Sequence, residues 1–221
     1  MSPWKRILPL ALALAGVGAC GFDSSTLLLR LEAPSVPAVK TNDYREIVVA
    51  DFFLPAPAPD INLNQELTEY FRAEVSLRFK GSVSRRPLPL DKEETLKDPA
   101  FWKEAAASAT GVLFLTGKAR LDEEWRKALL NKDAGRQVDP FLQKKTWNER
   151  KSFTLDITLL LLDGGTGEAL WEKNYKETAN YANTQQPASF ALFDLLQQLK
   201  LKFFRTVFGS ARPQERYLLF R

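Results

Sequence analysis

The apolar positions of this chain change period along its length, and each change predicts an element. Ile7 to Val17 is an almost wholly apolar run of about eleven residues behind Lys5 and Arg6. That is the length of a secretory-signal core and too short to span a bilayer. From Gly21 to about Tyr44 no period holds. Asp23-Ser24-Ser25, Pro34, Pro37 and Thr41-Asn42-Asp43 are linker chemistry. Thr26–Leu31 (TLLLRL) interrupts it, as either a short edge strand or an apolar grip on a partner. Arg45–Leu54 (REIVVADFFL) is a strand stopped by Pro55, Pro57 and Pro59. Leu67, Phe71, Val75 and Phe79 then repeat every fourth residue, a helical stripe with Asn62 or Asn64 as N-cap and Gly81 as its end. Ser82–Leu88 is a short strand, placed at a sheet edge by Pro87 and Pro89.

Asp98-Pro99 opens a short helix, Ala100–Ala109, closed by Gly111. Val112–Leu121 is the next strand. Asp122–Lys151 is charged and without period, with a helical turn or two expected at Glu123–Leu130. Ser152–Leu162 is the strongest strand in the chain. The tight turn Asp163-Gly164-Gly165-Thr166-Gly167 leads into a returning strand, Glu168–Thr178. Ser189 is expected to cap a long helix, Phe190–Phe208, whose stripe is Leu192, Leu196, Leu199, Phe203 and Val207. The order strand, helix, strand, helix, strand, strand, helix predicts one α/β domain. Its mixed sheet has four to five strands, with two or three helices packed largely on one face. The chain thus divides into a signal peptide (1–19), a tether (20–44), the α/β domain (45–209) with a charged insertion (122–151), and a basic aromatic tail (210–221).

Composition changes this picture chiefly through what is missing. The single cysteine, Cys20, follows Val17-Gly18-Ala19. Small residues before a cleavage site and a thiol just after it form a lipobox, so Cys20 is expected to carry the lipid of a bacterial lipoprotein. Two or more acyl chains anchor stably. Gly21, where an aspartate would favour the inner membrane, points to the periplasmic face of the outer membrane. With Cys20 acylated no disulfide or thiol chemistry remains. The chain has no histidine, which removes the usual general base and zinc ligand. A non-enzymatic protein without cofactor or metal is expected. Removing Lys5 and Arg6 from the 31 basic residues leaves 29 against 27 acids. The mature charge is therefore nearly balanced and gives no sign of a nucleic-acid partner.

Several motifs tempt and fail. Gly111–Lys118 (GVLFLTGK) has five residues between its glycines and Ala119 where a magnesium-binding hydroxyl belongs. Gly165-Thr166-Gly167 lacks a third glycine and leads from strand to strand. Asp122, Glu123 and Glu124 read as a solvated face. Trp125, Phe141 and Trp147 stand among the insertion's charges. They either pin the insertion onto the domain or, with Arg212 and Tyr217 of the tail, form a contact surface for another envelope protein.

Thr116-Gly117-Lys118-Ala119, followed after a hydrophobic strand by Asp163-Gly164-Gly165-Thr166-Gly167-Glu168-Ala169-Leu170-Trp171, resembles a phrase shared by periplasmic α/β domains of envelope lipoproteins and secretion factors. That group includes the N-terminal domain of TolB, the curli secretion lipoprotein CsgG, FlgO-type flagellar lipoproteins and the lipoprotein activator of a penicillin-binding protein. The likeness spans roughly Arg45 to Gly209 and consists of turn glycines and core residues. It implies a periplasmic α/β domain and carries no catalytic residue. Pores of the CsgG kind need hairpins with strict alternation. Asp122–Lys151 shows none, so no pore is expected. The leading expectation is a membrane-anchored, non-enzymatic adaptor or assembly factor of an envelope machine. The alternative is a lipid- or glycan-binding transport auxiliary with an apolar groove beside the last helix. Less favoured is a cell-wall hydrolase, which needs two acids about 5–9 Å apart. Asp51, Glu123 and Glu168 give no such spacing.

Overall fold

The structure, a computed structural model, describes residues 26–31, 36–58, 60–107, 109–131, 145–209 and 214–219. The described chain falls into two compact units, Ser35–Ser210 and a smaller one formed by the two ends. In the smaller unit β1 (Thr26–Leu31) pairs antiparallel with a strand at Gln214–Leu219. The apolar run inside the tether is thus a strand, and the tail supplies its partner. The expected signal peptide (1–19) and Cys20 lie outside the described residues.

In the larger unit β2 (Glu46–Phe53), α1 (Leu63–Ser76), β3 (Ser82–Arg86), α2 (Pro99–Ala105), β4 (Val112–Asn131), β5 (Lys145–Asp163), β6 (Ala169–Tyr181) and α3 (Ala188–Phe208) follow in order. The terminal strand Gln214–Leu219 is β7. The sheet runs β3-β2-β4-β5-β6, with β3 at its edge. β2 is parallel to both neighbours, and β4, β5 and β6 are antiparallel. This is the mixed five-stranded α/β arrangement that the element order predicts.

Strand alternation sorts the side chains onto two buried faces. Leu113, Leu115, Leu121, Phe153, Leu155, Ile157 and Leu159 face α1 and α3, and Leu192, Leu196, Leu199, Phe203 and Val207 meet them as predicted. Val48, Ala50, Phe114, Leu160 and Leu162 face a second core under Trp102 of α2 and Leu96. Burial on both faces explains why REIVVADFFL is nearly continuous rather than alternating. The two long helices share one face, and the short α2 covers part of the other.

Local chemistry sets the boundaries. Asn62 Oδ1 accepts the Gln65 N–H (3.2 Å), and Asp98 Oδ1 accepts that of Ala100 (3.0 Å). Asn64 instead accepts the Phe52 N–H at 2.9 Å, tying α1 to β2. Three boundaries differ from expectation. α1 stops at Ser76, so Gly81 is not its C-terminal residue; a Cβ at Gly81 would run into the Arg45 carbonyl. α2 ends at Ala105. α3 begins at Ala188 after Pro187, leaving Ser189 inside the first turn with no capping bond.

The largest difference is Asp122–Lys151. Its described part is strand, not helical turn or irregular loop: β4 runs 20 residues and β5 19. Its strands lie beyond most of the core, so pairing rather than apolar alternation holds them, and periodicity cannot reveal them.

Candidate functional site

β4 and β5 stay paired from Leu113↔Asp163 to Asn131↔Lys145. β2 leaves β4 at Lys118, and β6 leaves β5 at Lys151. Past that point the two strands form an arm whose outer backbone edges pair with no other strand among the described residues. At its base the register places Trp125, Lys151 and Tyr181 in one row across three strands.

Lys151 is the centre of the row. Its side chain is largely buried, and its ammonium lies 3.0 Å from Glu123 Oε1 and donates to the Gln186 carbonyl at 3.2 Å. It stands 5.0 Å from the Phe153 ring centre and 5.8 Å from that of Trp125. A cation in that position attracts the face of an exposed indole by about 0.5–1 kcal/mol. Trp125 is 57% exposed. On the other side of Lys151, the Tyr181 hydroxyl donates to Asp194 Oδ2 at 2.9 Å. Burial, and then Asp194, push that phenol up to about 12, so it remains a donor. Phe190 of α3 meets the Tyr181 ring edge-on at 6.1 Å. The result is a fixed aromatic edge, partly wet, at the foot of the arm.

Described acids at and beyond the base of the arm are matched. Asp122 pairs with Arg120 at 2.7 Å, Glu124 with Arg126 at 2.9 Å and Glu149 with Lys127 at 3.7 Å. Such exposed pairs add little stability. Charges on an open edge do discourage indiscriminate strand pairing.

Two depressions lie elsewhere. A cleft of about 670 Å³ on the α2 face is lined by Lys118, Arg120, Asp156, Thr158, Glu172 and Asn174, beside the 3-10 turn Glu93–Lys97. Its charges engage one another: Lys118 with Glu93 at 2.7 Å, Lys97 with Glu172 at 3.5 Å, and the Asn174 amide donating to Asp156 Oδ1 at 2.8 Å. The cleft mixes charged side chains with Pro55, Leu96 and Leu160 and lies across the sheet from α3, unlike the apolar groove expected beside that helix. A smaller crevice of about 390 Å³ lies at the carboxyl end of β2, lined in part by Asp51, Asn64, Leu88 and Asp91. Burial raises the Asp51 carboxyl in spite of Arg85, 3.8 Å away. Among the described residues no group of three His, Cys, Asp or Glu side chains could hold a metal. The phosphate-loop look-alike at Gly111–Lys118 opens β4, with its backbone in the ladder.

The sequence-predicted residues are not brought together as one surface. Trp125 stands in the row. Trp147 lies opposite Leu129, four positions further out along β4. Tyr217 lies opposite Leu28 in the separate strand pair. Phe141, Arg212 and Cys20 fall outside the described residues. Sequence reasoning missed Lys151, Tyr181 and Phe190, whose proximity to Trp125 depends on strand register. The only signal for Phe190 was that it sits off its helix's apolar stripe.

No protein-family model matches the chain, and no curated protein matches it. Among solved structures, the chain is similar to the PelC dodecamer from Paraburkholderia phytofirmans, at 12% identity over 79% of this chain and 94% of that one, with a TM-score of 0.42. It is also similar to a minor lipoprotein from Acinetobacter baumannii, at 11% identity, 78% and 98% coverage and a TM-score of 0.38. Lipoprotein GNA1162 from Neisseria meningitidis aligns at 13% identity, 73% and 99% coverage and a TM-score of 0.37.

Proposed function

We propose that this chain is a periplasmic lipoprotein, held at the outer membrane through acylated Cys20, that serves as a non-enzymatic adaptor or assembly factor of an envelope machine. The observation that carries the docking role is the row at the foot of the arm. Trp125 is exposed, the Lys151 ammonium stands 5.8 Å from its ring centre, and Tyr181 with Phe190 lies on the other side of that lysine. An exposed tryptophan is the residue type that anchors protein interfaces. The open strand edges beside it offer a partner backbone hydrogen bonds. The absence of histidine and the resemblance to the TolB, CsgG and FlgO group fit an adaptor.

A photoreactive amino acid in place of Trp125 tests this in intact cells. The expected outcome is one discrete cross-linked protein, absent when the same group replaces Leu170 on β6. Trp125→Ala is expected to weaken capture of that partner about 30-fold, the loss of a hot-spot side chain, without lowering stability. A smear identical at both positions sinks the docking role.

The alternative, a transport auxiliary, has the 670 Å³ cleft in its favour. A lining that sets acids, bases, an amide and a hydroxyl around Leu96, Leu160 and Pro55 suits a glycan, which offers both hydroxyls and apolar ring faces. Native mass spectrometry of purified protein, finding bound saccharide, would move the reading there.

A further inference from the structure

α3 carries exposed apolar side chains outside its buried stripe. Phe193 and Leu201 stand eight positions apart on one side of the helix with the polar Gln197 between them, while Phe190, one turn earlier, packs on Tyr181. Phe193 is 58% exposed and Leu201 70%. An amphipathic surface helix spends that side on polar residues, so these two side chains lack their partner. Two more exposed apolar side chains flank the C-terminal half of the helical layer: Leu77 at the end of α1 (76%) and Val36 (87%). Most large apolar side chains exposed among the described residues therefore belong to this layer or its border.

What covers that side follows from where the chain enters and from charge. The Ala38 N–H donates to the Thr206 carbonyl at 2.9 Å, and Val39 is buried in the α3 core. The N-terminal segment therefore joins the unit at the last turns of α3. Cys20 precedes Val36 by 16 residues, a stretch that reaches at most about 55 Å. Around the same end of the helix stand Lys40, Arg78, Lys80, Lys200, Lys202 and Arg205, against Asp43, Glu74, Asp163 and Glu177. Glu74 is shared by Lys200 and Arg78 (2.6 and 2.7 Å), and Glu177 binds Lys202. The border is thus basic in balance, which suits anionic headgroups. No helix among the described residues is long and apolar enough to cross a membrane.

We infer that the outer face of α3 lies on the lipid surface to which the chain is anchored. Phe193 and Leu201 enter the boundary between headgroups and acyl chains, and the basic border meets anionic lipid. This rests on acylation of Cys20 and extends it: the lipid would set the orientation of the domain as well as its address. An amphipathic face of this kind sinks about 5–10 Å into the headgroup boundary.

The test uses the full acylated protein on vesicles of phosphatidylcholine and phosphatidylglycerol. With Cys20 blocked by its lipid, a thiol introduced as Phe193→Cys, Leu201→Cys or Leu170→Cys takes a single nitroxide label. All three positions are exposed, so the fold tolerates them. Labels at 193 and 201 are expected to be several-fold less accessible to a water-soluble nickel complex than the label at 170, and more accessible to oxygen. Equal nickel access at all three, with the protein still bound to vesicles, overturns the contact and leaves the anchor intact. An intact mass without acyl groups, and protein that washes off the vesicles, overturns the anchor and the contact that depends on it. Shielding of 193 and 201 that appears only when an envelope protein is added also overturns the inference, because the face then docks protein.

Discussion

Two short phrases that carry the family resemblance turn out to be joints. The Thr116 hydroxyl donates to the Asp51 carbonyl at 2.6 Å, where the β2–β4 register slips between Val49 and Phe52. At Gly117 the β5 backbone passes so close that a Cβ would run into the Thr158 carbonyl. In the Asp163–Gly167 turn, Asp163 Oδ2 accepts the Thr166 N–H at 3.0 Å and the Asp163 carbonyl accepts that of Gly167 at 2.7 Å. Gly167 has φ 72° and sits against the Pro99 backbone. Gly117→Ala is expected to cost about 3 kcal/mol through forced separation of β4 and β5, read as a lower urea midpoint. Glu74 carries a pH prediction. Burial alone would raise its carboxyl, but Lys200 and Arg78 outweigh it and hold it below the usual value of 4.5. A depressed acid contributes stability that is present above its unfolded value and lost as pH falls through the folded one. Stability should therefore fall with acid from about pH 4.5 downward, and Glu74→Gln should flatten that part of the urea-midpoint profile. The sequence displayed these residues as motif and charge. It did not show which backbone each one touches.

Legibility from sequence divides sharply by what holds an element in place. α1 and α3 were readable because a core selects their apolar stripes. Phe203 shows how firmly: its ring meets Phe71 at 5.5 Å, Trp171 at 5.6 Å and Phe204 at 4.9 Å. Phe203→Ala is expected to cost about 3–5 kcal/mol, measured by chemical denaturation. The core under Trp102 was not readable, because a seven-residue helix shows barely two turns of pattern and its indole N–H is satisfied locally by the Leu96 carbonyl at 3.2 Å. The arm was unreadable for the opposite reason. Side chains such as Glu124, Arg126 and Lys127 face water, so no burial constrains their order, and cross-strand hydrogen bonds alone keep them extended. The docking row was lost with the arm: Trp125 stood out as an aromatic among charges, but its neighbours followed only once the register was known.

Within the Ser35–Ser210 unit the arm and the point of chain entry lie at opposite ends of β4. The entry side is fixed where Arg45 donates to the Gly111 carbonyl at 2.8 Å, just before β4 begins. Trp125 lies thirteen residues beyond Val112 on that strand, about 43 Å away at 3.3 Å per residue. The point of chain entry and the Trp125 row are thus separated by most of the length of one continuous strand. Stability should be graded along that strand. Amides of Leu113–Lys118 sit between two ladders and under two cores, so they open only with the whole unit. Amides of Arg126–Asn131 and Lys145–Arg150 have one ladder and, among the described residues, no third strand, and an isolated two-stranded ribbon is marginal in water. Hydrogen exchange followed by mass spectrometry should show the arm exchanging in an early step while Leu113–Lys118 stay protected until global unfolding. If the arm is where a partner strand docks, adding the protein captured through position 125 should slow the arm's exchange and leave the body's rates unchanged. Equal protection of arm and body in the free protein would mean that something other than the β4–β5 ladder stabilises the arm, and the open-edge argument for docking there would fail.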